Sequence, residues 1–355
     1  MMLSDRARRR RTSHVSILFA AVVAISAACT GAGRPAAVAD LHAGQPPVGR
    51  STPEPVSGGA ATNHVVIVSI DGLRPDAIAR FGAATLTRLT REGSYTFAAT
   101  TIMPSKTLPS HTSMLTGEGP DEHGITWNSN QTDEHATVAI PTVFSVARAR
   151  GLTTAAFFSK GKFNHLEVPG SLDYTQAPHG DGKWSSSRTI RDVERYLATE
   201  RPNLLFVHLG DPDYMGHFWG WMSWFYGQAV RRVDGAVERL LMAADRAYGA
   251  GNYAVILTAD HGGHGRSHGS DRAADVTIPW IAWGEGVQRG TRITADVHTM
   301  DTAGTALWLL GVSVPDGWTG VPVREAFSSS AQAVADLAAS TAVVSADAGA
   351  APFQR

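Results

Sequence analysis

Residues 253–271 read Tyr253-Ala-Val-Ile-Leu-Thr-Ala-Asp-His-Gly-Gly-His-Gly-Arg-Ser-His-Gly-Ser-Asp271. The opening run, Tyr253 to Leu257, is short, apolar and partly β-branched, as a buried strand is. Asp260, His261, His264 and His268 then fall within nine residues, and four glycines lace the stretch to Asp271. A loop just past a strand end is where open α/β sheets place their ligand sites. Imidazole and carboxylate at this density point to a divalent-metal site.

The same arrangement recurs elsewhere in the chain. Val65 to Ile70 is a nearly continuous β-branched run, typical of a central parallel strand, and Asp71 follows it. Leu204 to Leu209 is another such run, and Asp211, Asp213 and His217 follow. Further strands are expected at Thr153–Phe158 and Ile278–Trp283. Helical spacing covers Ala77–Glu92, Thr107–Leu115, Pro141–Arg150, Thr189–Thr199, Trp221–Tyr248 and Thr299–Leu310. Strand and helix alternate, so the expected fold is α/β, with a mostly parallel central sheet and helices on both faces.

The chain has 355 residues, 43% of them hydrophobic and 18% charged, which suits a globular protein. A net charge of −1 offers no broad field for nucleic acid. The single cysteine, Cys29, excludes a disulfide framework and a cysteine-based zinc site. Any metal must be held by His, Asp, Glu or hydroxyl oxygen. Arg6 and Arg8 to Arg11 precede a 14-residue apolar stretch, Val15 to Ala28. Residues 1–29 therefore read as an export signal, too short for a comfortable membrane span. Cys29 stands where a bacterial lipoprotein signal puts its acylated cysteine. A plain secretory signal or a twin-arginine route gives the same location, outside the cytoplasm. Residues 30–62, rich in Ala, Gly, Pro and Ser, read as a flexible linker. The folded domain is expected over 63–327, and a loose tail over 328–355.

Within the domain, Thr107 falls where a helix begins. A hydroxyl there lies in the positive end of the dipole, beside free backbone N–H groups. That suits a nucleophile attacking a phosphate, sulfate or phosphonate; it also suits a simple N-cap. Asn128 carries an amide able to hold a non-bridging oxygen in a transition state. Asp213 and His217 are four apart, so they can share one helical turn, with Asp211 as a competing ligand. His123 suits fixing its loop. Trp219, Trp221, Trp224, Phe225 and Tyr226 suit either a pocket wall or a core face.

Taken in order, these pieces resemble the alkaline phosphatase superfamily, in its type I phosphodiesterase/nucleotide pyrophosphatase branch. The resemblance is carried by Ile70-Asp71-Gly72-Leu73-Arg74-Pro75, Lys106-Thr107-Leu108-Pro109-Ser110-His111, and Thr116-Gly117 through His123-Gly124-Ile125 to Asn128. It continues through Pro212-Asp213, Gly216-His217, Thr258-Ala259-Asp260-His261-Gly262, His268-Gly269, and Asp301 through Gly311. The resemblance implies a three-layer α/β/α sandwich. It implies two divalent metals, usually zinc, roughly 4 Å apart. Asp71, Asp260, His261 and Thr107 would hold one; Asp213, His217 and His268 would hold the other. Thr107 would attack phosphorus and form a covalent phospho-threonine, which water then hydrolyses. Asn128 and the backbone N–H of Thr107 would steady a phosphoryl oxygen.

In animal members a long insert precedes the last His-Gly motif, whereas here only residues 262–267 separate His261 from His268. His264 therefore competes, although Gly269 and Ile278-Pro279-Trp280-Ile281 follow His268 in the family's order. Lys160 and Lys162 are spaced like a basic pair that some monoesterases of this superfamily use on a phosphate dianion; a solvated loop is the alternative. The expected function is an exported, metal-dependent hydrolase of phosphoric esters, its partners a small phosphate-ester substrate and, through Cys29, the membrane. Hydrolysis of a carbon–phosphorus bond is the alternative chemistry, and an anchored, non-catalytic metal-binding protein the alternative class.

Overall fold

A computed structural model describes residues 61–130 and 137–348. The expected export signal and nearly all of the expected linker lie outside the described residues, as does Cys29. In chain order the strands are β1 Val65–Ile70, β2 Ser94–Thr100, β3 Thr154–Phe157, β4 Tyr174–Gln176, β5 Leu204–Leu209, β6 Ala254–Thr258, β7 Thr277–Gly284 and β8 Thr291–Arg292. The helices are α1 Pro75–Arg80, α2 Ala84–Glu92, α3 Thr107–Thr116, α4 Pro120–His123, α5 Val143–Ala149, α6 Ser186–Leu197, α7 Asp211–Trp219, α8 Trp224–Tyr248, α9 Ala273–Val276, α10 Asp301–Leu309 and α11 Ser329–Ala348.

The eight strands form one sheet in the order β4-β3-β5-β1-β6-β7-β2-β8. It is mostly parallel, as expected; only β7 runs against its neighbours β6 and β2. β1 lies centrally between β5 and β6 and is buried along its whole length. Burial on both faces is why it reads as a continuous apolar run rather than an alternating one. α2, α6 and α8 pack together, and α3, α5 and α10 pack together. The result is the three-layer α/β arrangement. β3, β5, β1 and β6 point the same way, so their C-terminal ends share one edge. The segments after β1, β5 and β6 carry the predicted ligands other than Thr107, which follows β2.

Local chemistry explains the element ends. Ser185 caps α6 through Arg188 N–H, and Ser223 caps α8 through Tyr226 N–H. The single helix expected over Ala77–Glu92 is two helices, because the chain turns at Gly82 with φ of +67°. α2 then starts without a local side-chain cap. The carboxylate of Asp234, on α8, accepts from Thr85 N–H and Leu86 N–H instead, at 3.0 and 2.8 Å.

Beyond residue 327 the composition suggests a loose tail, but the chain forms α11. Ala331, Ala335 and Ala338 are buried. Asp336 accepts from Trp308 Nε1 at 2.9 Å and pairs with Arg324. An alanine face spaced four and three residues apart packs without bulk, which composition alone does not separate from a linker. No helix among the described residues is long and apolar enough to cross a membrane.

Candidate active site

Asp71 is the first residue past β1, and its side chain is fully buried. The turn after it is tight. Gly72 has φ of +71°, and a Cβ there would lie 3.0 Å from Asp213 Cα. A side chain would therefore push the loops after β1 and β5 apart. The indole N–H of Trp221 and the hydroxyl of Tyr226 both donate to Gly72 O at 2.9 Å, and Gly72 N–H donates to Asp260 Oδ1 at 3.1 Å. So two aromatics of the run after His217 are core residues that brace the turn. Phe218, Trp219, Trp224 and Phe225 are exposed.

Thr107 is the first residue of α3, as expected, and is buried. Its Oγ1 lies 3.4 Å from His261 Nε2. The Lys106 side chain does not cap this helix. Asn128 does so from a distance: its Oδ1 accepts from Leu108 N–H at 3.0 Å and from Lys162 Nζ at 2.9 Å. With the carbonyl oxygen engaged twice, the Nδ2 amide is the end of the side chain able to donate to a ligand. Thr107, Asn128, Lys162, Asp213, His217 and His268 all line one cavity of about 280 Å³.

Asp213 and His217 share a turn of α7, with Asp213 Oδ1 at 3.3 Å from His217 Nε2 and 3.7 Å from His268 Nε2. The ligand atoms of these three lie within 4.8 Å of one another, as do those of Asp71, Asp213 and His261. Asp213 thus stands between the two groups. Asp260 Oδ2 lies 3.2 Å from His261 Nε2. The competing residues are placed elsewhere. Asp211 accepts from Ser186 N–H at the start of α6, and His264 Nδ1 pairs with Asp275 Oδ1 at 2.7 Å. His123 fixes its loop: its Nδ1 accepts from Ile125 N–H at 3.0 Å, and its Nε2 lies 3.0 Å from Ser113 Oγ.

Both lysines reach the wall of the same cavity, but they separate in what they contact. Lys160 is buried, its ammonium 2.6 Å from Asp71 Oδ2 and 2.7 Å from Asp213 Oδ2. Lys162 lies against Asn128 and the cavity. Burial works against both charges. For Lys160 the carboxylates of Asp213 and Asp71 outweigh it and raise the pKa; for Lys162 burial, reinforced by Lys160, lowers it to about 8. Burial opposes the charge of Asp71 as well, but Lys160 and His208 hold its pKa well below the usual range. Burial and the neighbouring Asp71 charge push Asp260 well above that range. One ammonium in contact with two of three buried carboxylates leaves the cluster short of positive charge.

The donor set fits divalent cations. Asp71 Oδ1, Asp213 Oδ1 and Asp260 Oδ2 are buried oxygens with no hydrogen-bond donor. His261, His217 and His268 each place Nδ1 on a backbone carbonyl, those of Gly262, Arg266 and Ser105, at 2.8, 3.1 and 2.8 Å. Those contacts assign the proton to Nδ1 and leave Nε2 as a bare lone pair. Carbonyl-anchored imidazoles beside donorless carboxylates are the arrangement a metal centre uses. Sequence reasoning did not single out His208 or His111. His208 Nε2 lies 2.9 Å from Asp71 Oδ2, and His111 lies 2.8 Å from Thr107 O and 2.7 Å from Ser69 Oγ.

Residues 65–276 match the family described as type I phosphodiesterase / nucleotide pyrophosphatase. Human ectonucleotide pyrophosphatase/phosphodiesterase family member 1 is 26% identical over 223 residues, covering 58% of this chain and 24% of that protein. GPI ethanolamine phosphate transferase 1 of Candida glabrata is 24% identical over 254 residues, covering 62% of this chain and 28% of that protein. The chain thus spans about a quarter of the length of each. Among solved structures, murine ectonucleotide pyrophosphatase / phosphodiesterase 5, inactive and in complex with AMP, superposes with a TM-score of 0.64 at 17% identity. That match covers 75% of this chain and all of the other. A 2-O GAG sulfatase superposes with a TM-score of 0.59 at 15% identity, covering 74% of this chain and 73% of the other.

Proposed function

Because the chain belongs to the type I phosphodiesterase/nucleotide pyrophosphatase family, we propose that it is an exported, metal-dependent hydrolase of phosphoric esters with Thr107 as its nucleophile. The observation that carries this reading is the position of the Thr107 hydroxyl. It lies at the start of a helix, on the cavity wall, 3.4 Å from the bare Nε2 of His261. A substrate phosphate in that cavity would meet a nucleophile, a donor amide and an ammonium at once. AMP in the related murine structure supports nucleotide esters as the class to try first.

Asp71, Asp260, His261 and the Thr107 oxygen would hold one cation; Asp213, His217 and His268 would hold a second. Zinc suits these nitrogen and oxygen donors. Such cations supply Lewis acidity, favouring ionised Thr107 and an anionic leaving oxygen. In the first step Thr107 Oγ1 bonds to phosphorus, the bond to the leaving oxygen breaks, and the hydroxyl proton passes to solvent. In the second step a water oxygen displaces Thr107 from phosphorus and restores its hydroxyl. Asn128 Nδ2 and the Thr107 backbone N–H would steady a non-bridging oxygen through both steps. Residues 63–327 would form the catalytic domain, and residues 1–29 would export the chain and anchor it through a lipid at Cys29.

Assays of the purified protein on p-nitrophenyl phosphate, its bis-ester and phosphonoacetate test this reading. Turnover of an ester, lost to a chelator and regained with zinc, is the expected result. Turnover of phosphonoacetate alone would favour carbon–phosphorus cleavage, and inactivity with zinc on all three and on a nucleotide ester would refute hydrolysis.

A further inference from the structure

We propose that Lys160 is a positioning residue that joins the two metal sets, its ammonium clamping the outer oxygens of Asp71 and Asp213. The inference rests on the two-cation reading above. An ammonium buried to 3% exposure is costly unless paired, and here it is paired almost symmetrically, at 2.6 and 2.7 Å. Both contacts are to Oδ2, while the two Oδ1 atoms have no donor. The ammonium thus takes the Oδ2 oxygens and leaves Oδ1 of Asp71 toward His261 and Oδ1 of Asp213 toward His217 and His268. Asp213 N–H also donates to Asp71 O at 3.1 Å, so backbone and side chain tie the same two residues. Asp71 belongs to one cation set and Asp213 to the other, and fixing one against the other fixes the distance between the cations.

The segment Ser159-Lys160 supplies both clamps on Asp71. Lys160 grips Oδ2 directly, and Ser159 acts through His208. Ser159 N–H donates to His208 Nδ1 at 3.3 Å, and its Oγ lies 2.8 Å from the same atom. Accepting at Nδ1 makes Nε2 the donor, and it meets Asp71 Oδ2 at 2.9 Å. Tyr214, on α7 beside Asp213, donates its hydroxyl to Ser159 O at 3.1 Å and holds the segment in place. Lys160 is committed to this network, which leaves Lys162 and Lys183, both on the cavity wall, as the lysines to meet substrate.

Zinc affinity, measured by competition with a chromophoric chelator, tests the inference apart from activity. Lys160→Met is expected to weaken zinc binding about 10- to 100-fold, the usual effect of losing a partner that orients a ligand. Lys160→Arg should recover much of the loss, and Lys162→Met should keep wild-type affinity while raising KM for a phosphate monoester. Should Lys160→Met fail to fold, His208→Gln and His208→Leu decide. Gln keeps a donor for Asp71 and should retain zinc, whereas Leu should lose it. Unchanged or tighter zinc binding in Lys160→Met, or equal affinity in the two His208 variants, overturns the inference. A wild-type protein that binds no zinc would instead refute the two-cation reading beneath it.

Discussion

His261 lies flat against His268, their ring centroids 3.6 Å apart and their planes 9° from parallel. Six residues separate the two, and each gives its Nδ1 proton to a different backbone carbonyl. The stack lets one loop serve both donor sets: His261 faces Asp71 and Asp260, while His268 faces Asp213. His264 leaves the stack to pair with Asp275. His268→Ala should therefore lower zinc stoichiometry from two to one under a modest excess of metal. His264→Ala should keep both ions, as metal analysis after gel filtration will read. Loss of a metal in the His264 variant would reverse the assignment.

Thr107→Ala should lower turnover at least about 10³-fold, the scale seen when a covalent nucleophile is removed. Thermal stability should stay close to wild type, since α3 keeps its Asn128 cap. Thr107→Ser should retain measurable turnover. A quenched reaction analysed by peptide mass spectrometry should show phosphate on Thr107 in the wild type alone. Near-normal rates in the alanine variant would exclude the covalent route.

Asn128→Asp retains an acceptor for Leu108 N–H and Lys162 but lacks the amide donor. Its kcat should fall about 10²- to 10³-fold, the effect of removing one oxyanion donor. Its melting temperature should change little. A change confined to KM would place Asn128 in ground-state binding instead.

Two histidines outside the donor sets give a pH signature to stability. Burial lowers the pKa of both His123 and His165 from 6.5 to about 4. The unfolded chain therefore binds more protons than the folded one between those values. Their contribution is fully present above pH 6.5, is lost as pH falls toward about 4, and does not change further below it. At about 1.4 kcal/mol per unit, each is worth up to roughly 3 kcal/mol. Denaturant unfolding of the chelated protein at a series of pH values should show this loss. A His123→Gln/His165→Gln double variant should make the slope shallower without abolishing it, because burial also lowers the pKa of His64, His111, His208, His261 and His268, and an unchanged slope in that variant would contradict the assignment.

Much of the site is legible because three of its ligands come soon after short apolar runs. Asp71, Asp213 and Asp260 follow strands that burial on two faces makes uniformly hydrophobic, so their ends can be read from sequence. Thr107 is legible from the helix that follows it. What escapes are contacts between distant segments. His208 meets Asp71 across 137 residues, and Lys160 meets Asp213 across 53. No local pattern separates an ammonium bound for a carboxylate from one facing substrate. β2 has a mixed burial pattern and an irregular register against β7, so neither alternation nor a continuous run marks it. The break between α1 and α2 is a positive-φ glycine inside helical spacing, and the cap it needs comes from Asp234, some 150 residues on.

Anomalous diffraction from a zinc-loaded crystal, recorded on both sides of the zinc absorption edge, tests the central claim most directly. Two peaks are expected, one among Asp71, Asp260, His261 and Thr107, the other among Asp213, His217 and His268. No peak at these residues, or zinc bound only at His264 and Asp275, would contradict it.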